Sequence, residues 1–169
     1  MYYGQNGIIS WFYSFNRTSS CKWGREDLDF GKGFYLTTIV EQARQWAARV
    51  QLIKGASDAV INVYELDWDE LVLDSYKILK LEKYDRQWLD FIVASRNGEK
   101  PWMPYDIVEG GVANDKVIDT VEDYISGTIT VEQALGQLIY AKPNHQICLL
   151  NQSIIDRYLY FVESYVINV

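Results

Sequence analysis

The sequence predicts an α+β fold with a mostly antiparallel or mixed sheet. Three observations carry this. Strand-like and helix-like segments both occur, but they do not alternate as regular βαβ units. One segment, "DAVINVYELD" (58–67), is rich in β-branched residues and apolar on both faces, as a central strand is. The helical segments carry apolar residues at three- and four-residue spacing, and glycines follow several of them. The chain has 169 residues, 49% of them hydrophobic, which suits one domain, 1–169, with a sizeable core.

Taken in order, "MYYG" (1–4) reads as a short strand ending at Gly4, and 16–28 as a polar loop. "GFYLTT" (33–38) reads as a strand. It leads into a helix over 39–54, with Val40, Ala43, Ala47 and Val50 at helical spacing and Trp46 beside them. The strand over 58–67 follows, and "ELVLDSYKILKL" (70–81) reads as another. "DRQWLDFIVASRNG" (85–98) predicts a helix with Trp88, Phe91 and Ile92 on one face and Gly98 at its C-terminal cap. "PYDIVEGGV" (104–112) is a short strand turning at Gly110-Gly111. The next helix starts from Asn114 or Asp115, turns Val117, Ile118, Val121 and Ile125 inward and stops at Gly127. Thr130 and Gln133 have the spacing of a capping box for a helix over 128–140. Strands at 145–151 and 158–169 flank a short helix near 152–157.

The formal charge of −7 disfavours a general electrostatic grip on nucleic acid or on an anionic membrane. Cys21 and Cys148 form no CxxC pair, so neither a disulfide framework nor a zinc site is expected. No secretion leader and no run of about eighteen apolar residues is visible, which predicts a soluble, cytoplasmic protein. The sequon at Asn16-Arg17-Thr18 then carries no glycan. His145 is the sole histidine and gives no metal signal; it reads as structural or as a surface residue. The acidic run "ELDWDEL" (65–71) reads as a solvated strand end, and Glu26, Asp27 and Asp29 as an ordinary charged loop.

Gly31-Lys32-Gly33 invites comparison with a phosphate loop. That loop needs a glycine five residues before Gly31, where Glu26 stands, and Ser or Thr after the lysine, where Gly33 stands. A dinucleotide fingerprint needs a strand before the glycines and a helix after them, the reverse of the order here. What remains is a turn that delivers Tyr35 onto a strand. Gly33, Tyr35 and Thr37 share one face, and Gly33 leaves open space beside the ring where a flat ligand could lie. A turn followed by an ordinary packed strand is the alternative.

With "FGKGFYLTT" followed by a helix, the chain resembles the ADP-ribosyltransferase superfamily, in the form of second motif used by poly-ADP-ribose polymerases. "YYGQ", "LDFGKGFYLTT", "QARQWA", "WLDFIVASRNG", "YDIVEGGVAND" and "NHQICLLN" together resemble an uncharacterised bacterial family assigned to that superfamily. The resemblance implies split antiparallel or mixed β-sheets around an NAD cleft with flanking helices. It implies NAD as co-substrate, no metal, and transfer of a single ADP-ribose unit with release of nicotinamide.

The resemblance also implies roles. Tyr35 stacks on nicotinamide, and Trp46, eleven residues on, closes the sandwich. Gly4 pairs its backbone with the nicotinamide amide. Tyr3 stands where the superfamily has a ribose-holding histidine. Gln146 stands where the superfamily has a glutamate that binds ribose and stabilises the oxocarbenium-like centre. The glutamine keeps hydrogen bonding but not charge, a loss of about 3 kcal/mol or about a hundredfold in rate. Gly33 and Thr37 line the cofactor side, and Asn114 and Asp115 the acceptor side. The implied partner is a protein or nucleic-acid acceptor, with protein favoured by the acidic charge. Superfamily analogy adds a toxin or conflict role, with delivery into a target cell and an antitoxin-like partner. Two rivals stay open: a non-catalytic module that binds NAD, ADP-ribose or a protein, and hydrolysis of NAD by water.

Overall fold

A computed structural model describes residues 8–12, 20–21, 28–113, 115–141 and 144–167. In chain order the elements are β1 (Ile8–Phe12), β2 (Phe34–Leu36), α1 (Val40–Lys54), β3 (Ala59–Leu66), α2 (Trp68–Leu71), β4 (Ile78–Leu81) and α3 (Arg86–Arg96). Then come β5 (Ile107–Gly110), α4 (Asp115–Ile125), α5 (Val131–Leu138), β6 (Gln146–Leu149), α6 (Gln152–Tyr158) and β7 (Leu159–Ile167). The fold is α+β, with two sheets and six helices among the described residues.

One sheet is three-stranded and antiparallel, in the order β1-β3-β7. The β-branched strand over 58–67 is its middle strand, so both of its edges are paired. The other sheet has the order β2-β6-β5-β4. Its β2–β6 and β6–β5 pairs are antiparallel, while β4 and β5 are parallel. Helix α3 lies between β4 and β5 in the chain and makes the crossover that a parallel pair requires.

Strand alternation assigns the two faces of the four-stranded sheet. Leu81, Val108 and Cys148 point to a core shared with Trp88, Leu89 and Ile92 of α3, Val117 and Val121 of α4 and Leu138 of α5. Phe34, Leu36, Ile107, Ile147 and Leu149 point the other way, onto Tyr64 and Leu66 of β3 and Ile154 and Ile155 of α6. That second core joins the two sheets. Ala43 and Ala47 of α1 pack on Ala59 and Ile61 of β3.

The helix ends follow the expected chemistry. The Asp85 carboxylate caps α3 by accepting from the Trp88 amide at 3.1 Å. Thr130 and Gln133 form the reciprocal capping box of α5. Gly98 and Gly127 take left-handed conformations just past α3 and α4.

The structure corrects two expectations. The segment 70–81 is not one strand. Asp67 accepts from the Glu70 amide at 3.1 Å and starts the short helix α2, which buries Leu71, so only Ile78–Leu81 remain extended. The acidic run is therefore partly a helix start and not merely a solvated strand end. The second correction is β1, a strand over 8–12 that sequence patterning did not mark. It pairs with β3 from Ile8↔Leu66 to Phe12↔Asn62. The strand expected at 1–4 lies outside the described residues, as does most of the polar loop over 16–28.

Gly33 is required by packing. A Cβ there would lie 2.4 Å from Cys148 Sγ and 2.7 Å from the Leu149 carbonyl oxygen. The expected space beside Tyr35 is therefore filled on the Gly33 side by β6. Gly33→Ala is expected to cost about 3 kcal/mol in urea unfolding, because backbone cannot yield as a flexible side chain does. A loss below about 0.5 kcal/mol would contradict this packing.

Candidate functional site

The register of β2 on β6 pairs Phe34 with Leu149, Tyr35 with Cys148 and Leu36 with Ile147. Continued by one residue, it sets Thr37 against Gln146. Alternation then places Gly33, Tyr35, Thr37, Gln146 and Cys148 on one face of the sheet. Two predicted residues 111 positions apart, Tyr35 and Gln146, are thus brought onto neighbouring strands.

Their side chains are engaged differently. The Tyr35 hydroxyl donates to the Gly31 carbonyl at 2.7 Å, which ties the strand to the glycine turn. Gly31 itself has φ +84°, and an added Cβ would run into the Trp102 ring. Burial pushes the Tyr35 phenol well above its ordinary value, so it stays neutral. Thr37 is spent as a clip: its hydroxyl donates to the His145 carbonyl at 2.7 Å and accepts from the Ile39 amide at 3.1 Å. Gln146 is half-buried, and its amide makes no hydrogen bond among the described residues. It retains a free donor and a free acceptor.

Trp46 is 44% exposed on α1 and is not a core tryptophan. No ring contact joins it to Tyr35 among the described residues. Tyr3, Gly4 and Asn114 lie outside the described residues, and Asp115 opens α4. Asp29, from the acidic loop, pairs with Arg96 at 2.9 Å and accepts from the Ala113 amide at 3.1 Å. Asn144 is a bracket between chain segments. Its Oδ1 accepts from the Val112 amide at 2.7 Å and the Tyr84 hydroxyl at 2.9 Å, and its Nδ2 donates to the Val112 carbonyl at 2.9 Å.

A second polar group, missed in the sequence, lies at the same end of β6. His145 Nε2 is 3.0 Å from Glu109 Oε1, and Lys80 Nζ is 3.2 Å from Glu109 Oε2. Lys80 also sits over the Trp68 ring, 5.1 Å from its centroid. The His145 amide donates to Gln42 Oε1 at 3.2 Å, while the buried Gln42 Nε2 has no hydrogen-bond partner among the described residues. The sequence did hold one signal for this group, a glutamate in an otherwise apolar strand, "IVEG".

Burial alone would raise the Glu109 carboxyl, but the His145 hydrogen bond and the Lys80 charge outweigh it, and the net shift is downward. A carboxyl lowered by folding adds stability that is present above its unfolded value and lost as pH falls through the folded value. Glu109→Gln is therefore expected to flatten the acid limb of stability against pH. Urea midpoints measured at neutral pH and on the acid limb check this; an unchanged difference between them would contradict it.

Neither cysteine is activated. Burial pushes the Cys21 thiol up to about 11 and the Cys148 thiol higher still. Among the described residues, no three acidic, cysteine or histidine side chains converge to hold a metal ion. No described helix is long and apolar enough to cross a membrane. No curated protein and no solved structure matches the chain. Residues 14–161 match the family described as a protein of unknown function, DUF3990, and the chain belongs to that family.

Proposed function

We propose that this protein is an NAD-dependent ADP-ribosyltransferase, moving one ADP-ribose unit from NAD to a macromolecule and releasing nicotinamide. The observation that carries the reading is the shared face of Tyr35 and Gln146, with the Gln146 amide unbonded beside the Thr37 clip. It supports the pairing of second and third motifs that the sequence resemblance requires. The two sheets packed through one core support a split-sheet architecture, with Tyr35 and Gln146 on the face of the four-stranded sheet turned away from that core.

In this reading Tyr35 offers its ring to nicotinamide, while its hydroxyl holds the glycine turn in place. Trp46, exposed on α1, is the second aromatic wall. Gly4 orients the nicotinamide amide and Tyr3 a ribose hydroxyl. The free Gln146 amide holds the ribose 2′-hydroxyl, and Asn114 and Asp115 border the acceptor. NAD supplies the glycosidic bond that breaks; the chain's residues orient it and limit its access to water. A protein acceptor fits the net charge of −7 better than nucleic acid does. The toxin or conflict role, delivery into a target cell and the antitoxin-like partner rest on superfamily analogy.

A second reading has its own support. The Thr37 hydroxyl already donates one hydrogen bond and accepts another, the Gly33 side of Tyr35 is filled, and Gln146 carries no charge. These features favour a non-catalytic module that binds NAD or ADP-ribose. Incubation with adenylate-labelled NAD, with and without cell lysate, separates the two. Label transfer with nicotinamide release supports the enzyme. Tight NAD binding without turnover, unchanged in Gln146→Ala, supports the module.

A further inference from the structure

We propose that Asp29 is a positioning residue: it closes a ring of bonds that holds the Tyr35 turn and the Gln146 strand in fixed relation. The ring stands on bonds within the protein; its use in orienting NAD rests on the transferase reading. One side of the ring is the β2–β6 ladder, which pairs Tyr35 with Cys148, two residues from Gln146. The other side is built by side chains. The Tyr35 hydroxyl donates to the Gly31 carbonyl at 2.7 Å, and the Gly31 amide donates to the Leu28 carbonyl at 2.9 Å. Asp29 stands inside that turn, and its Oδ2 accepts from the Ala113 amide at 3.1 Å. Val112, one residue earlier, is bracketed through both its amide and its carbonyl by Asn144, two residues before Gln146. The side-chain half of the ring lies on the Tyr35 side of the sheet, because Phe30 and Ala113 belong to the core onto which Cys148 points and against which Tyr35 packs.

Arg96 fixes the direction of that link. It donates through Nε at 3.2 Å and through Nη2 at 2.9 Å, both to Asp29 Oδ1, which leaves Oδ2 for Ala113. A charge-assisted fork sets orientation as well as distance. Asp29 is 13% exposed and Arg96 23%, so salt and water screen the pair less than they screen a surface pair. Each half of the link is held separately. Phe30 is fully buried and meets Phe91 of α3 edge-on at 6.2 Å between centroids. On the other half, Trp88 donates to the Gly111 carbonyl at 2.7 Å and the Tyr84 hydroxyl to the Val112 carbonyl at 3.2 Å. Asp29 joins these two fixed pieces. The segment 111–113 leads directly to Asn114 and Asp115, so the same bond sets the acceptor border against the Tyr35 ring. Asparagine at position 29 would offer one accepting oxygen where three N–H groups converge, and its own amide hydrogens would face a donor. One of the two links must then open.

The test has two arms. The first is hydrogen exchange of the protein alone. In Asp29→Asn the amides of Gly31, Val112 and Ala113 are expected to exchange about tenfold faster. The Ala134 amide, bonded to the Thr130 carbonyl at the start of α5, is expected to keep its rate. Arg96→Lys keeps the charge and loses the fork, so it is expected to shift the same three amides by less; if Asp29→Asn does not fold, this variant decides. Equal acceleration at Ala134 would mean a general loss of stability and overturns the proposal. So does an unchanged rate at Gly31.

The second arm is nicotinamide release at saturating NAD. Asp29→Asn is expected to slow it about a hundredfold, the size of effect that a small displacement of positioned groups produces. Tyr35→Phe removes the hydroxyl that ties Tyr35 to the same turn. Because both changes act through that turn, the double variant is expected to be no slower than the slower single one. Losses that multiply, or a wild-type rate in Asp29→Asn, overturn the proposal and leave the transferase reading standing. A wild type that neither binds nor cleaves NAD overturns the transferase reading, and the exchange arm then decides the ring by itself.

Discussion

Trp88→Ala is expected to lower the unfolding free energy by about 4 kcal/mol in urea titration. Trp88 is fully buried in the first turn of α3, where its amide is held by the Asp85 cap. Its ring meets Tyr84 edge-on at 4.6 Å between centroids, and its indole N–H donates to the Gly111 carbonyl at 2.7 Å. Truncation leaves a large cavity and an unpaired carbonyl together. The damage also reaches the candidate site, because Gly111 and Val112 follow β5, which carries Glu109, and Val112 is bracketed by Asn144. Trp88→Phe keeps most of the ring and loses the hydrogen bond, so it is expected to cost only about 1–2 kcal/mol. A loss below about 1.5 kcal/mol for the alanine variant would show that this core relaxes more readily than its packing indicates.

Gln146→Glu is expected to raise the rate of nicotinamide release from NAD about a hundredfold, equivalent to about 3 kcal/mol. The wild-type amide can hold a ribose hydroxyl but cannot offset positive charge developing at C1′. The position is half-buried and its side chain is free among the described residues, so a carboxylate of nearly the same shape fits without displacing a partner. Steady-state nicotinamide release at saturating NAD checks this. A fall in rate would mean that the neutral amide is itself the working group and that charge stabilisation comes from elsewhere.

Local signals in the sequence translated well. The Thr130 cap, the Gly98 and Gly127 stops, the apolar face of α3 and the inward Val117 and Val121 of α4 all depend on residues within a few positions of each other, whereas Ile125, expected inward at the last turn of α4, is 41% exposed. The central place of β3 was readable because a strand buried on both faces loses its polar alternation. β1 was not readable, since a five-residue apolar run has no period of its own and is fixed only by pairing with Glu65 and its neighbours on β3. The parallel β4–β5 pair was equally hidden, because it depends on where α3 carries the chain. At the site, patterning gave the shared face of Gly33, Tyr35 and Thr37 but not the Cys148 sulfur that fills the space above Gly33. The glutamate in the apolar strand β5 was visible, but its pairing with His145 was not. A lone histidine and a strand glutamate 36 residues apart meet only through the β5–β6 register.

The central claim is that the face built by Tyr35 and Gln146 cleaves NAD. The most direct test is nicotinamide release from NAD by the purified wild type, by Tyr35→Ala verified as folded, and by Gln146→Ala. Saturable release by the wild type, abolished in the folded Tyr35 variant and altered in the Gln146 variant, is the predicted result. NAD binding with no release, indifferent to Gln146→Ala, would contradict it.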